Sequence, residues 1–387
     1  MPTVVPDDGF AFHASANVAL GCQQVAPLFA PHSCRHFTTN FFEHGHLITR
    51  NTGLSGLLTS AGLYRAASQW QFKVAVDHAQ ARLLAPDSFA HDSSYADGSL
   101  LDGPGMDAAL YANRTVVLHN MELYWQPVSQ LCLALMRAFG VYAQANVYRS
   151  PSGLPSAVHA HQDAQSVFVV QCEGRKRWAL FEPPQRWRLR YNQRGKAGDV
   201  APANELLQPV AEYTLAPGDV LFVPRGMYHR TSTLDQGPSS TEHHPASGAR
   251  PAPPSLHVTV GVETDTDAFT WVALLRDAAT ALGVPDATAM LDAALWEDER
   301  LREALPLPLC RFGGTFETAE PLGAQWFGHA RELLAVHVNW RPKGDGEPLR
   351  RALDHELHKR QDLVEQKRLQ ILEFIEIGVR DARQQEG

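Results

Sequence analysis

The stretch HAHQDAQSVFVVQCEGRKRW, His159 to Trp178, decides how this chain is read. Its first five residues hold three potential metal ligands, His159, His161 and Asp163. An apolar run follows, and then the basic cluster Arg175-Lys176-Arg177. Alternate residues of a strand share a face, so His161 and Asp163 are expected to point the same way, with His159 beside them. A third ligand is needed, and His229 in VPRGMYHR, after another strand, is suited to supply it. Two histidines and one carboxylate on one face of an ion leave three positions open, the arrangement of non-haem Fe(II) oxygen chemistry. Alone, His-x-Asp is a frequent chance tripeptide, and a solvated polar strand end explains it as well.

The basic cluster adds weight. In RKRWALF, alternation puts Lys176 and Trp178 on one face and Arg175 and Arg177 on the other. A lysine on an inward face needs an anion, because burying an unpaired ammonium costs several kcal/mol. A 2-oxo diacid meets both demands: its oxo-acid end chelates a metal, and its far carboxylate pairs with Lys176. The competing reading is a surface lysine with its stem packed on a neighbour.

Outward from this stretch the middle of the chain is β-rich. Segments 142–148, 166–172, 175–181, 219–224 and 256–263 carry strand composition, as does RTVVLHN at 114–120. Glu173-Gly174 is expected to close a two-residue hairpin between the strands on either side. PVSQLCLALMRAFG, stopped by Gly140, reads as an amphipathic helix. A short helix leading into a short strand is expected over 37–50 and another short helix within 57–70, and residues 1–30 read as irregular. Residues 237–254 are a polar low-complexity stretch, expected to be a loop in which His243 and His244 are solvated. After Glu263 the composition turns helical. In the tail, Leu349, Leu353, Leu357 and Val364 share a helical face, as do Ile371, Phe374 and Ile375, either for packing or for a partner.

Composition narrows the function classes. Acidic residues (42) outnumber Lys and Arg (34), for a net charge of −8, so direct nucleic-acid binding is not expected and a basic protein partner is permitted. The five cysteines are widely spaced with no CxxC, which favours a reducing compartment over a disulfide framework. Neither a leader peptide nor a membrane span is expected, so the chain reads as intracellular and soluble, most simply cytoplasmic, with nuclear, nucleolar or organellar placement open.

In order along the chain, Asn146, Tyr148, Pro151, His161, Asp163, Val167, Phe168, Gln171, Gly174, Lys176 and Trp178 resemble the core motif of the JmjC Fe(II)/2-oxoglutarate oxygenases, in the cupin-like ribosomal oxygenase branch. PGDVLFVPRGMYH, Pro217 to His229, resembles its second motif, and SLHVTVGVE the strand after it. The resemblance runs over roughly residues 35–310. It implies an α+β fold: a double-stranded β-helix (jelly-roll, cupin) core with flanking helices and a helical C-terminal region. It implies a catalytic domain over 1–263 with its core at 114–263, a helical dimerisation module at 264–310, and a helical or winged-helix-like region at 311–387. It implies His161, Asp163 and His229 as Fe(II) ligands and Lys176 as partner of the distal carboxylate of 2-oxoglutarate. Asn146, His257 and Thr259 are implied to line the cosubstrate pocket. The register favours His161 over His159.

The implied reaction uses O2 to hydroxylate a side chain, with no catalytic side chain beyond the metal centre. The implied substrate is a histidine or arginine of a ribosomal protein. Another protein or modified peptide, lysine demethylation, and a non-catalytic cupin scaffold are the alternatives. Manganese, nickel, cobalt or zinc fit the same ligands. The segment SAVHAH and the loop at 237–254 depart from the family pattern, which leaves substrate choice less determined than cofactor choice.

Overall fold

Alternation along the central strands sorts the chain's apolar residues into two cores. In β6 (Ser166–Glu173), Phe168, Val170 and Cys172 join the large core under the helices, while Val167 and Val169 turn into a smaller cluster between two sheets. β9 (Val220–Val223) divides the same way, with Val220 and Phe222 on one side and Leu221 and Val223 on the other. A strand buried on both faces reads as a continuous apolar run, which is what SVFVVQC is. The structure is a computed structural model describing residues 15–74, 81–86, 98–182, 208–234, 252–263, 269–295, 297–310, 315–316, 322–342 and 344–386.

The larger sheet has seven strands. It adds β1 (Leu47–Thr49), β2 (Ala81–Leu84), β3 (Thr115–Leu118), β4 (Tyr142–Ser150) and β11 (Ser255–Glu263), in the order β1-β9-β6-β11-β4-β3-β2. The smaller has β5 (Val158–His161), β7 (Lys176–Phe181), β8 (Ala211–Leu215) and β10 (Tyr228–Ser232), in the order β5-β10-β7-β8. Every strand pairing is antiparallel. The architecture is the expected α+β double-stranded β-helix, a jelly roll with helices over its outer face.

The connection at Glu173-Gly174 corrects the hairpin expectation. β6 and β7 do not pair; they belong to different sheets, so the turn carries the chain across the jelly roll. Gly174 sits at φ +63°, and a Cβ there would lie 2.5 Å from the Pro254 carbonyl oxygen. Glycine is required by the backbone approach of β11, not by a two-residue hairpin.

The helices follow local signals. α5 (Gln126–Phe139) starts with a proline in its first turn and ends on Gly140 at φ +74°. α2 (Cys34–Asn40), α3 (Ser60–Trp70), α4 (Gly103–Tyr111) and α6 (Trp271–Ala281) are capped by Ser33, Thr59, Asp102 and Thr270, whose side-chain oxygens accept backbone N–H groups. Of the residues 1–30 expected to be irregular, Ser15–Val25 form α1, which lies along α5, and 1–14 lie outside the described residues. A disulfide joins Cys22 of α1 to Cys34 of α2, against the expectation of free thiols. The chain reverses between these two helices, which brings together cysteines whose spacing alone carried no signal.

Beyond β11, α6 and α7 (Ala287–Ala294) lead to α8 (Leu307–Cys310), α9 (Gly323–His337) and the 40-residue α10 (Glu347–Glu386). The described residues of 311–387 hold α9 and α10 and no strand. α10 uses its apolar stripe for packing: Leu349, Leu353, Leu357, Val364 and Ile371 are buried in the large core. Two ion pairs tie it down. Arg360 meets Asp277 at 2.8 Å, and Lys367 meets the fully buried Glu122 at 2.7 Å. No helix among the described residues is long and apolar enough to cross a membrane. The loop with His243 and His244 lies outside the described residues.

Candidate metal centre

β5 and β10 pair with His161 opposite His229, and both histidines are buried. His229 follows β9, as expected, and is itself the second residue of β10. Asp163 differs from expectation: β5 ends at His161, and Asp163 follows in the next turn. Its place is set by the backbone, because the Gly226 N–H donates to the Asp163 carbonyl at 2.9 Å. Asp163 Oδ1 then lies 3.8 Å from His161 Nε2, and Oδ2 lies 3.6 Å from His229 Nε2. One ligand atom from each of the three residues lies within 4.8 Å of the others. The three residues would together hold one divalent ion.

The tautomer of His229 fits the same purpose. Its Nδ1 lies 3.2 Å from the Met227 carbonyl, which only accepts, so Nδ1 carries the proton and Nε2 offers its lone pair. His159 is in β5, but its side chain lies outside the described residues.

A cavity between the sheets extends from these residues to Lys176. Lys176 is 1% exposed. Its Nζ donates to Ser150 Oγ at 3.0 Å, Ser150 Oγ in turn accepts from Thr115 Oγ1 at 3.1 Å, and the Tyr148 ring lies 6.0 Å from Nζ. No carboxylate among the described residues pairs with it. Burial alone therefore lowers the Lys176 pKa from 10.5 to about 7. His257 lines the same cavity, stacked on Tyr148 with ring centroids 5.0 Å apart. Burial, and then the nearby Lys176 charge, hold it well below the ordinary histidine value, so its imidazole is neutral. Thr259 lines the cavity too.

Asn146 does not join them. Its Oδ1 lies 3.2 Å from His119 Nδ1, and it is outside the cavity lining. Thr231, Trp178 and Tyr148, for which no site role is expected from the sequence, also line the cavity. The signal was available: Trp178 shares the Lys176 face of β7, and Thr231 is two residues from His229 on β10.

The donor set suits the group implied by the resemblance. Two buried histidines with a partly buried aspartate fit a divalent metal, and a buried cation without an anionic partner among the described residues fits the far end of a chelating diacid. Beside the cluster, across the turn Pro224–Met227, lies a separate cavity of about 590 Å³ whose lining includes Glu182, Glu299 and Glu303.

Residues 120–252, which hold the three-residue cluster, match the model of the JmjC domain. The chain is also similar to longer proteins. It is 24% identical over 337 residues to the bifunctional lysine-specific demethylase and histidyl-hydroxylase NO66 of Drosophila persimilis, covering 84% of this chain and 42% of that protein. It is 28% identical over 192 residues to ribosomal oxygenase 2 of Rattus norvegicus, covering 50% of this chain and 34% of that protein. The chain thus spans less than half the length of these relatives. Among solved structures, that of YcfD, a ribosomal oxygenase from Escherichia coli, in complex with cobalt and 2-oxoglutarate aligns at a TM-score of 0.38 and 14% identity. That alignment covers 78% of this chain and 71% of the other.

Proposed function

We propose that this protein is an Fe(II)- and 2-oxoglutarate-dependent oxygenase that hydroxylates a side chain of a protein substrate. The observation that carries the reading is one cavity holding both the His161-Asp163-His229 cluster and a buried Lys176 that lacks a carboxylate partner among the described residues. When bound, Fe(II) with 2-oxoglutarate and O2 supplies hydroxylation: one oxygen atom enters the substrate, the other enters succinate, and CO2 leaves. The chain's own residues prepare the site. Met227 orients His229, and Gly226 fixes Asp163 through its backbone. Lys176 takes the distal carboxylate, while His257 stays neutral and adds no competing charge. Val167 and Trp178 keep bulk water from the cavity.

A ribosomal protein, modified on histidine or arginine, is the substrate this reading favours. The names of the relatives support it, as does the net charge of −8 against a basic partner. The adjacent cavity of about 590 Å³ gives a polypeptide room to approach. Lysine demethylation is the second reading, favoured by the relative from Drosophila persimilis that carries that activity in its name. Segment 264–310 is proposed as a dimerisation module, and a monomer by light scattering at micromolar concentration would remove that part. The test of function is succinate formation with Fe(II), ascorbate and a ribosomal protein extract, with mass spectrometry of the extract. Stoichiometric succinate and a gain of one oxygen atom on a protein side chain are expected. Loss of methyl groups from lysine would favour demethylation, and no succinate above the Asp163→Ala control would overturn the oxygenase reading.

A further inference from the structure

Three residues lining this one cavity each carry a buried polar atom with no hydrogen-bond partner among the described residues: Trp178 Nε1, Thr231 Oγ1 and His257 Nδ1. Trp178 is 4% exposed and Thr231 3%. Buried polar groups are paired in the large majority of cases, so several together at one cavity wall call for a ligand. Trp178 and Thr231 face each other across the β7–β10 ladder. Lys176 lies two residues along β7 on the same face, and His229 lies two residues along β10. The pair therefore sits between the cation and the metal cluster. An indole N–H only donates, and a threonine hydroxyl can donate. A carboxylate has two oxygens and about four acceptor sites, more than one ammonium already bonded to Ser150 fills.

We propose that Trp178 and Thr231 are ligand-binding residues of this cavity, donating from the indole N–H and the hydroxyl to the same carboxylate that Lys176 neutralises. The proposal rests on the dicarboxylate reading above and adds a consequence to it: these two side chains select a diacid over a monoacid. The body of Trp178 packs in the small core with Leu180 and Leu215, so the indole is fixed by packing and its N–H is free for a ligand.

The test is calorimetric titration of Mn(II)-loaded protein with 2-oxoglutarate, and separately with 2-oxobutyrate, which lacks the distal carboxylate. Trp178→Phe keeps an aromatic ring and loses the N–H; Thr231→Val keeps the shape and loses the hydroxyl. Each is expected to weaken 2-oxoglutarate binding about tenfold or more, as for loss of a hydrogen bond to a charged group, and to leave 2-oxobutyrate binding unchanged. The unfolding midpoint of the metal-free Thr231→Val protein should not fall, because it loses an unpaired buried donor and no existing bond. Binding of 2-oxoglutarate within about twofold of wild type overturns the proposal, since water would then serve these donors equally well. Equal losses for both acids overturn the assignment to the distal carboxylate. A wild-type protein that binds neither acid overturns the underlying reading and this one with it, whereas wild-type binding with insensitive variants overturns this one alone.

Discussion

Replacing Lys176 with methionine is expected to make the metal-free protein more stable and to weaken its hold on 2-oxoglutarate severely. The unfolded lysine titrates near 10.5, and the folded one near 7. Below pH 7 both states carry the charge, and the fold bears the full cost of a buried ammonium. At about 1.4 kcal/mol for each pH unit between the two values, that cost is at most about 5 kcal/mol. Between pH 7 and 10.5 the folded lysine is neutral while the unfolded one still binds a proton. Stability therefore rises with pH through that window, and the cost falls to about 2 kcal/mol near pH 9. Methionine keeps a similar apolar stem and removes the charge. Urea unfolding at about pH 6 and about pH 9 reads the difference directly. Lys176→Met should unfold at higher urea than wild type, with the gap larger at the lower pH. A variant less stable than wild type at the lower pH, or a gap independent of pH, refutes the account of Lys176 as a buried cation awaiting an anion.

Metal binding should stabilise the wild type by about 2.7 kcal/mol when Mn(II) is present at a hundredfold its Kd, and Asp163→Ala should abolish that increment in thermal unfolding. Lys367→Met leaves the fully buried Glu122 carboxylate without its 2.7 Å partner, and should cost about 3–5 kcal/mol in urea unfolding. Adding Glu122→Gln should recover much of that loss. Gly174→Ala places a Cβ 2.5 Å from the Pro254 carbonyl at φ +63°, and should cost at least about 2 kcal/mol by the same measurement.

What the sequence conveyed depended on whether a residue's role was local. Strands with continuous apolar runs, such as SVFVVQC, were legible because burial on both faces leaves that pattern. The stop of α5 was legible in Gly140. His161, Asp163 and His229 could be named because the spacing of two motifs survives in the sequence, although the route of Asp163 into the cluster is a turn held by Gly226 and not strand alternation. Sheet partnership was not legible. Glu173-Gly174 has the composition of a hairpin turn, and only the approach of Pro254 shows that the chain crosses between sheets there. Asn146 has the residue type of a pocket amide, and its contact with His119, 27 positions away, is a juxtaposition that no local pattern encodes. The Cys22–Cys34 disulfide and the unpaired donors of Trp178 and Thr231 are likewise properties of juxtaposition, which no local pattern encodes.

The central claim is that one cavity holds Fe(II) on His161, Asp163 and His229 and a 2-oxo diacid between that ion and Lys176. Anaerobic titration of 2-oxoglutarate into the Fe(II)-loaded protein, followed by visible absorption, tests it most directly, since chelation of Fe(II) by a 2-oxo acid is coloured. A band that saturates at one equivalent in the wild type, is absent in Asp163→Ala and requires far more ligand in Lys176→Met is the predicted result. A wild type without the band, or an Asp163→Ala protein with the same band, would contradict it.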